Sequence, residues 1–196
     1  MNLFEKLLLA LLLGAPGWLL AQNEPPPMQY DVALGLHSYY MPALGARWNG
    51  PEPVAFAGIH QPFNRKQNLG ISLRLGYSRG KYQGDALQAQ LLFGYTPLLA
   101  EHVELGFKLG VGYQFSFYPS TPVRWDGEQW VGGRPAKGVV QAPVQFSLGY
   151  RSIHTGKVEW QPYLAYQLHV LFGYSPDLSP LPVSNALLGF KISSLQ

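Results

Sequence analysis

Alternation of apolar and polar side chains along one long segment limits most strongly what this chain can fold into. From His102 to Tyr118, HVELGFKLGVGYQFSFY, every second residue between Val103 and Phe117 is apolar, and the others are charged, amide, hydroxyl or glycine residues. A period of two predicts a β-strand with one apolar face. A strand in a soluble sheet needs about 5 or 6 residues, and a membrane-crossing strand about 9 to 11. This segment is long enough to cross a bilayer.

The same alternation recurs along the chain and predicts eight strands. They cover residues 30–40, 54–61, 69–78, 87–95, 102–118, 140–150, 160–172 and 186–192. The second strand is the least regular, because its alternation is weak. Pro143 lies in the polar face of the sixth strand and predicts a bulge or local break there. In the longest connection, residues 119–138, Asp126-Gly127 predicts a hairpin that prolongs strands five and six beyond the membrane.

Composition excludes several classes of protein. The chain has 196 residues, which is one domain by length, and no cysteine, so neither disulfides nor a thiolate metal site is possible. Only 13% of the residues are charged, against about 25% in soluble domains. The formal net charge of +3 is too small to indicate a nucleic-acid partner. Few charges and many aromatic residues are typical of a protein that faces lipid.

The amino-terminal region predicts export. In residues 1–21, Lys6 precedes an apolar run that ends in Leu-Leu-Ala, which indicates a secretory signal peptide cleaved after Ala21. The alternative is an uncleaved membrane helix, but the run is interrupted by Gly14, Pro16 and Gly17 and is shorter than the roughly 20 residues a span needs. Residues 22–29 form a proline-rich linker, and residues 30–196 form the folded domain. An exported chain of this kind is either a barrel or soluble beyond the inner membrane.

Connections and aromatic residues favour the barrel. Most connections alternate between short ones and longer ones rich in Pro and Gly, as in outer-membrane barrels. Aromatic residues lie near strand ends, where girdles at the two lipid interfaces are expected. This predicted girdle consists of Tyr30, Tyr40, Tyr77, Tyr95, Phe117, Tyr150, Trp160 and Phe172.

With these features, residues 30–196 resemble the small eight-stranded outer-membrane β-barrel proteins of the OmpA/OmpX-like superfamily. The resemblance implies an all-β, eight-stranded antiparallel up-and-down transmembrane barrel in the cell outer membrane. The chain departs from it at the end, where such barrels commonly finish on an aromatic residue and Phe190 is here followed by KISSLQ. The alternative is a soluble periplasmic barrel or sandwich. The long strands and weakly charged polar faces favour the membrane.

If the apolar faces contact lipid, the polar faces line an interior that eight strands leave just wide enough for side chains to fill. Mixed charges in such an interior must pair, so we expect a structural network of ion pairs and amides, with a narrow polar path as the alternative. This predicted interior network consists of Arg74, Glu104, Lys108, Glu159, Lys191, His37 and His169. Six glutamines share its phase: Gln88, Gln90, Gln114, Gln145, Gln161 and Gln167.

Histidines give only weak functional signals. His37 and His169 share the interior phase near one end, so a metal or proton-linked site is conceivable, but no placed carboxylate accompanies them and ordinary hydrogen bonding is expected. His60, near a turn, is expected to be a polar boundary residue. The segments predicted to be external contain serines and acids but no histidine to activate them. We therefore expect a non-enzymatic membrane protein without a cofactor; a narrow transporter and a lipid A-modifying enzyme are the alternatives.

Expected partners are outer-membrane lipid and lipopolysaccharide, with no nucleic acid. Arginine is geometrically suited to phosphate groups, and the external segments contain several basic residues. These are Arg47, Arg79, Lys81, Arg124, Arg134 and Lys137. Three tryptophans in the same segments, Trp48, Trp125 and Trp130, could stack on a sugar or a protein partner, or pack at the base of a loop.

Overall fold

The computed structural model describes residues 26–38, 50–81, 84–120, 122–151, 153–155, 158–174 and 179–194. Every regular element in these residues is a β-strand. The strands are β1 (Gln29–Ser38), β2 (Glu52–Pro62), β3 (Leu69–Ser78), β4 (Ala86–Tyr95), β5 (Val103–Phe117), β6 (Val123–Trp125), β7 (Trp130–Gly132), β8 (Ala136–Tyr150), β9 (Ile153–Thr155), β10 (Val158–Phe172) and β11 (Leu181–Ser194). In the described part of the chain, no helix has the length and apolarity to cross a membrane.

Eight of these strands close into an antiparallel barrel. Hydrogen-bonded neighbours follow the chain from β1 through β5 to β8, β10 and β11, and β11 pairs back onto β1. At the closure, Tyr30 of β1 lies opposite Ile59 on one side and Ile192 on the other. Each of the eight strands therefore has a neighbour on both sides, which removes the exposed edges of an open sheet. The predicted fold class, an all-β eight-stranded up-and-down barrel, is confirmed.

The barrel has two different ends. Residues 63–68, 96–102 and 151–157 connect strands at one end, which we call the short-loop end. Residues 39–51, 79–85, 118–135 and 173–180 connect them at the other, which we call the long-loop end. The longest of these connections contains the separate hairpin of β6 and β7. The predicted signal peptide and residues 22–25 of the predicted linker, with Tyr40, Arg47 and Trp48, lie outside the described residues.

The weak alternation of β2 in the sequence results from apolar residues that face the interior. Its apolar residues Val54 and Phe56 point into the barrel and are each 3% exposed, whereas Ala55 and Ala57 belong to the outer face. Large apolar residues therefore occupy the phase that polar residues occupy in the other strands. In this part of β2 the larger apolar side chains face the interior instead of the lipid. The position and length of the strand are close to those predicted.

Pro143 interrupts pairing without shifting register. Strands β5 and β8 pair Leu109 with Val144 and Gly112 with Gln141, and the two positions between these pairs are unpaired. The register is the same on both sides, so the structure has a local break and no bulge. Strand β8 also begins at Ala136, four positions before the predicted start, because backbone pairing with β5 continues past the apolar stretch.

The outer surface of the barrel is apolar and the interior is polar. Along β5, Leu109 is 49% exposed and Val111 62% exposed, whereas Lys108 and Gln114 in the opposite phase are each 1% exposed. A continuous apolar outer surface of this size is unfavourable in water and suits a hydrocarbon environment. The described members of the predicted girdle all lie on this outer face, 38% to 58% exposed: Tyr30, Tyr77, Tyr95, Phe117, Tyr150, Trp160 and Phe172.

Candidate functional site

The carboxylate of Asp31, inside the barrel, contacts three polar side chains from three other strands. Asp31 of β1 accepts hydrogen bonds at Oδ2 from Arg74 of β3, through Nε at 2.9 Å and through Nη2. Its Oδ1 accepts from the Tyr163 hydroxyl of β10 at 2.6 Å. Lys108 Nζ of β5 lies 3.8 Å from Oδ2. Arg74, Asp31 and Lys108 are each 1% exposed, so these charges satisfy one another away from solvent.

Two glycines make this cluster possible. Gly58 of β2 lies between Asp31 and Arg74 in the register, and a Cβ there would come within 2.9 Å of the Arg74 Cγ. Gly189 of β11 lies beside the Tyr163 ring, and a Cβ there would come within 2.7 Å of the ring's Cε1. Large inward side chains therefore fit because a neighbouring strand presents glycine.

A second group of polar side chains adjoins the Asp31 cluster. Lys108 Nζ donates to the Ser72 hydroxyl oxygen at 3.0 Å, and that hydroxyl lies 2.8 Å from His60 Nδ1. His60 is 2% exposed and Ser72 1% exposed. The expectation that His60 is a boundary residue is wrong: it has the inward phase of β2, and Gly70 of β3 leaves space for its ring.

Near the short-loop end, a second carboxylate holds two cations. Glu104 Oε1 accepts from Lys191 Nζ at 2.6 Å, and Oε2 accepts from Arg151 through Nη2 at 2.5 Å and Nε at 3.1 Å. Arg151 also donates from Nη1 to the backbone oxygen of Lys66 at 3.0 Å. The connection between β2 and β3 is thereby tied to the one that follows β8. Arg151 lies in a turn, where strand alternation gives no indication of its direction.

Amides extend the network toward the long-loop end. Asn185 Nδ2 donates to Gln167 Oε1 at 2.9 Å, Gln167 Nε2 to Gln90 Oε1 at 2.9 Å, and Gln90 Nε2 to Gln88 Oε1 at 3.1 Å. This chain of hydrogen bonds crosses the interior from β11 to β4. His169 joins it weakly, with Nδ1 at 3.4 Å from Asn185 Nδ2.

An apolar layer lies at the long-loop end of the interior. Val139, Leu171 and Val183 are inward-facing and 0% to 3% exposed, and Tyr174 and Leu181 pack against them. Sequence alternation did not indicate this layer, because three apolar residues here occupy positions in the inward phase. Ordinary apolar packing therefore replaces hydrogen bonding at this level of the barrel.

All seven members of the predicted interior network are buried, at 0% to 9% exposure: Arg74, Glu104, Lys108, Glu159, Lys191, His37 and His169. The structure divides them among different groups. Glu159 accepts from Gln161 at 3.0 Å and has no cation within 4 Å in the described part of the chain. His37 Nε2 lies 2.8 Å from the Arg79 backbone oxygen, so it and His169 have separate partners. Among the described side chains, no cluster of three or more histidines and carboxylates is arranged to hold a metal.

Two residues of the central cluster were absent from the predicted network. Asp31 and Tyr163 both have the inward phase of their strands, so that phase was the available signal. Alternation places both side chains in the interior but does not show which groups they contact there. Their contact depends on the closure of the barrel and cannot be read from either segment alone.

Outside the barrel, the β6–β7 hairpin presents two tryptophans. Trp125 and Trp130 are directly paired, 54% and 68% exposed, with ring centroids 5.5 Å apart and planes at 66°. They do not pack at the base of the loop. Asp126 Oδ1 accepts from the backbone N–H groups of Gln129 and Glu128, each at 2.9 Å, and these bonds lower the pKa of the Asp126 carboxyl.

These features define a class of protein: the eight-stranded transmembrane β-barrels, which have an apolar outer face and buried polar side chains inside. Within that class, the chain belongs to the family described as "Protein of unknown function (DUF3575)", whose model matches residues 38–150. No curated protein matches the chain.

Solved structures of outer-membrane barrels share the fold. The attachment invasion locus protein Ail of Yersinia pestis is 13% identical, with 85% of this chain and 99% of that chain covered and a TM-score of 0.50. Neisserial surface protein A is 12% identical, with 85% and 95% covered and a TM-score of 0.52. The chain thus shares the fold of these outer-membrane β-barrels, and its apolar outer face suits a membrane.

Proposed function

We propose that this protein is a closed, non-enzymatic outer-membrane barrel that acts at the cell surface, in a structural or surface-interaction role. The observation that carries the proposal is the Asp31 cluster. Arg74, Lys108 and Tyr163 converge on one carboxylate from three different strands, so the cluster crosses the interior at mid-barrel. A solute would have to separate these charges to pass.

Separating them is energetically costly. Removing one partner of a buried ion pair typically costs about 3 to 5 kcal/mol, because the other charge is left uncompensated. The Glu104 group near one end and the apolar layer of Val139, Leu171 and Val183 at the other would add further barriers. A continuous water-filled path is therefore unfavourable at three levels of the barrel.

The described serine–histidine contact supports a structural role better than a catalytic one. Ser72 and His60 are adjacent at 2.8 Å, which is a separation suited to an activated nucleophile. Both side chains are enclosed in the interior at 1% and 2% exposure, out of reach of lipid or a soluble substrate. The Ser72 hydroxyl oxygen also accepts a hydrogen bond from Lys108, so the serine–histidine contact is part of the polar network inside the barrel.

The long-loop end supports a surface role. It carries the longest connection and an exposed rim that includes Arg79, Lys81 and Arg134. Guanidinium and ammonium groups suit the phosphates of lipopolysaccharide, so we propose that this rim contacts the surrounding lipid headgroups. The hairpin of β6 and β7 lies in the longest connection at the same end, and its exposed tryptophans are available to a ligand.

Conductance across planar lipid bilayers tests the closed barrel. We expect purified wild-type protein to give no steady ohmic current. The double variant Arg74→Ala/Lys108→Ala, if it inserts, is expected to give measurable current, because it removes both cations from mid-barrel. A steady open pore in the wild-type protein would contradict the proposal and favour a narrow transporter.

Incubation with labelled lipid A tests the absence of enzymatic activity. We expect no release or transfer of acyl chains by the wild-type protein in detergent or in vesicles. Acyl release or transfer that is lost in Ser72→Ala and retained in Ser116→Ala, another buried inward serine, would establish an enzyme and overturn the proposal.

A further inference from the structure

The β6–β7 hairpin has the features of a rigid aromatic platform. Trp125 and Trp130 lie opposite each other on one face, and the next pair on that face is Val123, 65% exposed, with Gly132. A Cβ at Gly132 would meet nothing within 4 Å, so the space beside the rings is open. Both indoles thus present adjoining apolar surface to solvent, and the largest apolar patch of a protein is often a functional one.

Hydrogen bonds at both ends of the hairpin hold this surface in place. At the tip, Asp126 N donates to Gln129 O at 3.2 Å, while the Asp126 side chain accepts from two backbone N–H groups. At the base, Gly133 N donates to Pro122 O at 2.7 Å and Tyr118 N to Pro135 O at 2.9 Å. The platform is therefore fixed before any ligand arrives, which reduces the entropic cost of binding.

From this geometry we propose that the Trp125–Trp130 platform binds a neutral sugar ring. The axial C–H groups of a pyranose carry partial positive charge and suit the negative face of an indole. Two rings at 66° form a corner in which one indole contacts the face of a sugar and the other contacts its edge. Glu128 and Gln129, exposed in the turn between the two tryptophans, supply acceptors and donors for sugar hydroxyls.

The size of the surface favours a sugar over a protein partner. Two half-exposed indoles offer on the order of 300 Å² together. A stable protein interface buries about 800 Å² on each partner. The hairpin alone provides less than half of that, whereas one or two sugar rings are covered by it.

Charge at the tip favours a neutral sugar over an anionic one. The turn carries the carboxylates of Asp126 and Glu128 and contains no cationic residue between Trp125 and Trp130. Phosphate, sulfate or sialic acid groups placed against the rings would be repelled by these carboxylates. Such a sugar could belong to a polysaccharide of the cell's own surface or to a glycan on another cell.

This inference rests on the proposed surface role and deepens it. The test uses protein in lipid nanodiscs, because alkyl glycoside detergents would compete for the platform. An array of neutral glucose-, galactose- and N-acetylglucosamine-based oligosaccharides is screened beside phosphorylated and sialylated counterparts. The best binder is then titrated by tryptophan fluorescence. Purified lipopolysaccharides with and without their polysaccharide distinguish a cell-surface source from a foreign glycan.

We expect binding of a neutral oligosaccharide that weakens about tenfold, which is about 1.4 kcal/mol, in Trp125→Ala or Trp130→Ala because a stacked ring is lost, and that weakens less in Trp130→Phe because an aromatic ring remains. Trp160→Phe, a lipid-facing control, is expected to bind as the wild type does. Absence of neutral-sugar binding while the hairpin remains folded, preference for anionic glycans, or binding that persists in the double alanine variant would overturn the proposal. Conductance of the same preparation tests the closed barrel separately, so the two failures are distinguishable.

Discussion

Tyr163 donates its hydroxyl hydrogen to Asp31 at 2.6 Å across the barrel interior, although 132 residues separate the two in the sequence. This bond links the first strand of the barrel to its second-to-last strand, and it orients the carboxylate toward Arg74. The interior is thus stabilised by contacts that form only once the barrel is nearly complete.

Loss of the central carboxylate should be strongly destabilising. Asp31→Ala leaves the Arg74 guanidinium and the Lys108 ammonium buried without their counter-charge, so we expect the free energy of unfolding to fall by about 3 to 5 kcal/mol. Urea titration of protein refolded into lipid vesicles measures it. The matched control is Glu159→Gln, a buried carboxyl whose described partners are the neutral groups of Gln161 and Ser193. Equal losses in the two variants would contradict the central role of Asp31.

A methyl group at Gly189 should disturb the same cluster indirectly. Its Cβ would come within 2.7 Å of Tyr163 Cε1, so the ring must move and its hydrogen bond to Asp31 must weaken. We expect Gly189→Ala to cost about 1 to 3 kcal/mol, the usual range for overpacking. Gly132→Ala in the hairpin meets no atom within 4 Å and should be close to neutral. When Tyr163 is first replaced by Leu, Gly189→Ala should lower the free energy of unfolding by less, because the tyrosine ring that the methyl group meets is gone. An unchanged loss would show that the Tyr163 ring is not the cause.

An arginine on the outer face should be penalised according to depth. Leu109 is 49% exposed in the middle of β5, so Leu109→Arg places a charge in hydrocarbon and should cost about 2 to 4 kcal/mol. Leu99, 72% exposed in a short-loop connection, lies beyond the strands, and Leu99→Arg should cost about 0 to 1 kcal/mol. Vesicle unfolding experiments compare the two. Similar costs at both positions would show that the outer face of β5 does not contact lipid.

Acidification should loosen the tip of the β6–β7 hairpin. Backbone N–H groups of Gln129 and Glu128 hold the pKa of Asp126 below its usual value of 3.8, so the ionised carboxylate is the form that stabilises the turn. That stabilisation is fully present above pH 3.8 and is lost as the pH falls through the lower pKa of the folded hairpin. Amide chemical shifts of Gln129 followed from about pH 6 to about pH 2 should report this titration, and Asp126→Asn should abolish it. An Asp126 pKa at or above 3.8 would contradict the hydrogen-bonded turn.

Alternation predicted much of the barrel because the membrane imposes it. Strand β5 needs lipid-compatible residues at every second position, and Leu105, Phe107 and Leu109 supply them without interruption. The rule failed where the interior is itself apolar, since Val54 and Phe56 invert the pattern of β2 and Leu171 lies in the inward phase of β10. Alternation predicts whether a side chain faces the lipid or the interior. It does not predict which residue of a neighbouring strand lies beside that side chain.

The candidate site was less readable than the fold for that reason. Phase alone placed Arg74 and Lys108 on the interior face, yet their partner Asp31 is determined by the order and register of the strands and by the gap at Gly58. Arg151 lies in a turn, and turns have no phase. Asp126-Gly127 predicted that a hairpin lies in this connection. It did not predict in which direction the hairpin turns, and that direction determines the exposure of Trp125 and Trp130.

Site-directed spin labelling along β5 tests the central claim most directly, because a chain without native cysteine allows single-cysteine variants to be made without background. Labels are placed one at a time at the odd-numbered positions from Leu105 to Tyr113 in protein reconstituted into vesicles, and collisions with oxygen and with a water-soluble nickel reagent are measured. The interior is tested with a single unlabelled cysteine at Ser72 or Ser116, two buried inward positions where cysteine is close in size to the native residue, and with a water-soluble thiol reagent. A closed membrane barrel predicts oxygen-accessible labels at the odd-numbered positions and unreactive cysteines at Ser72 and Ser116. Reactive cysteines there would show a water-filled interior, and nickel-accessible labels at the odd positions would show that the apolar face is not in the membrane.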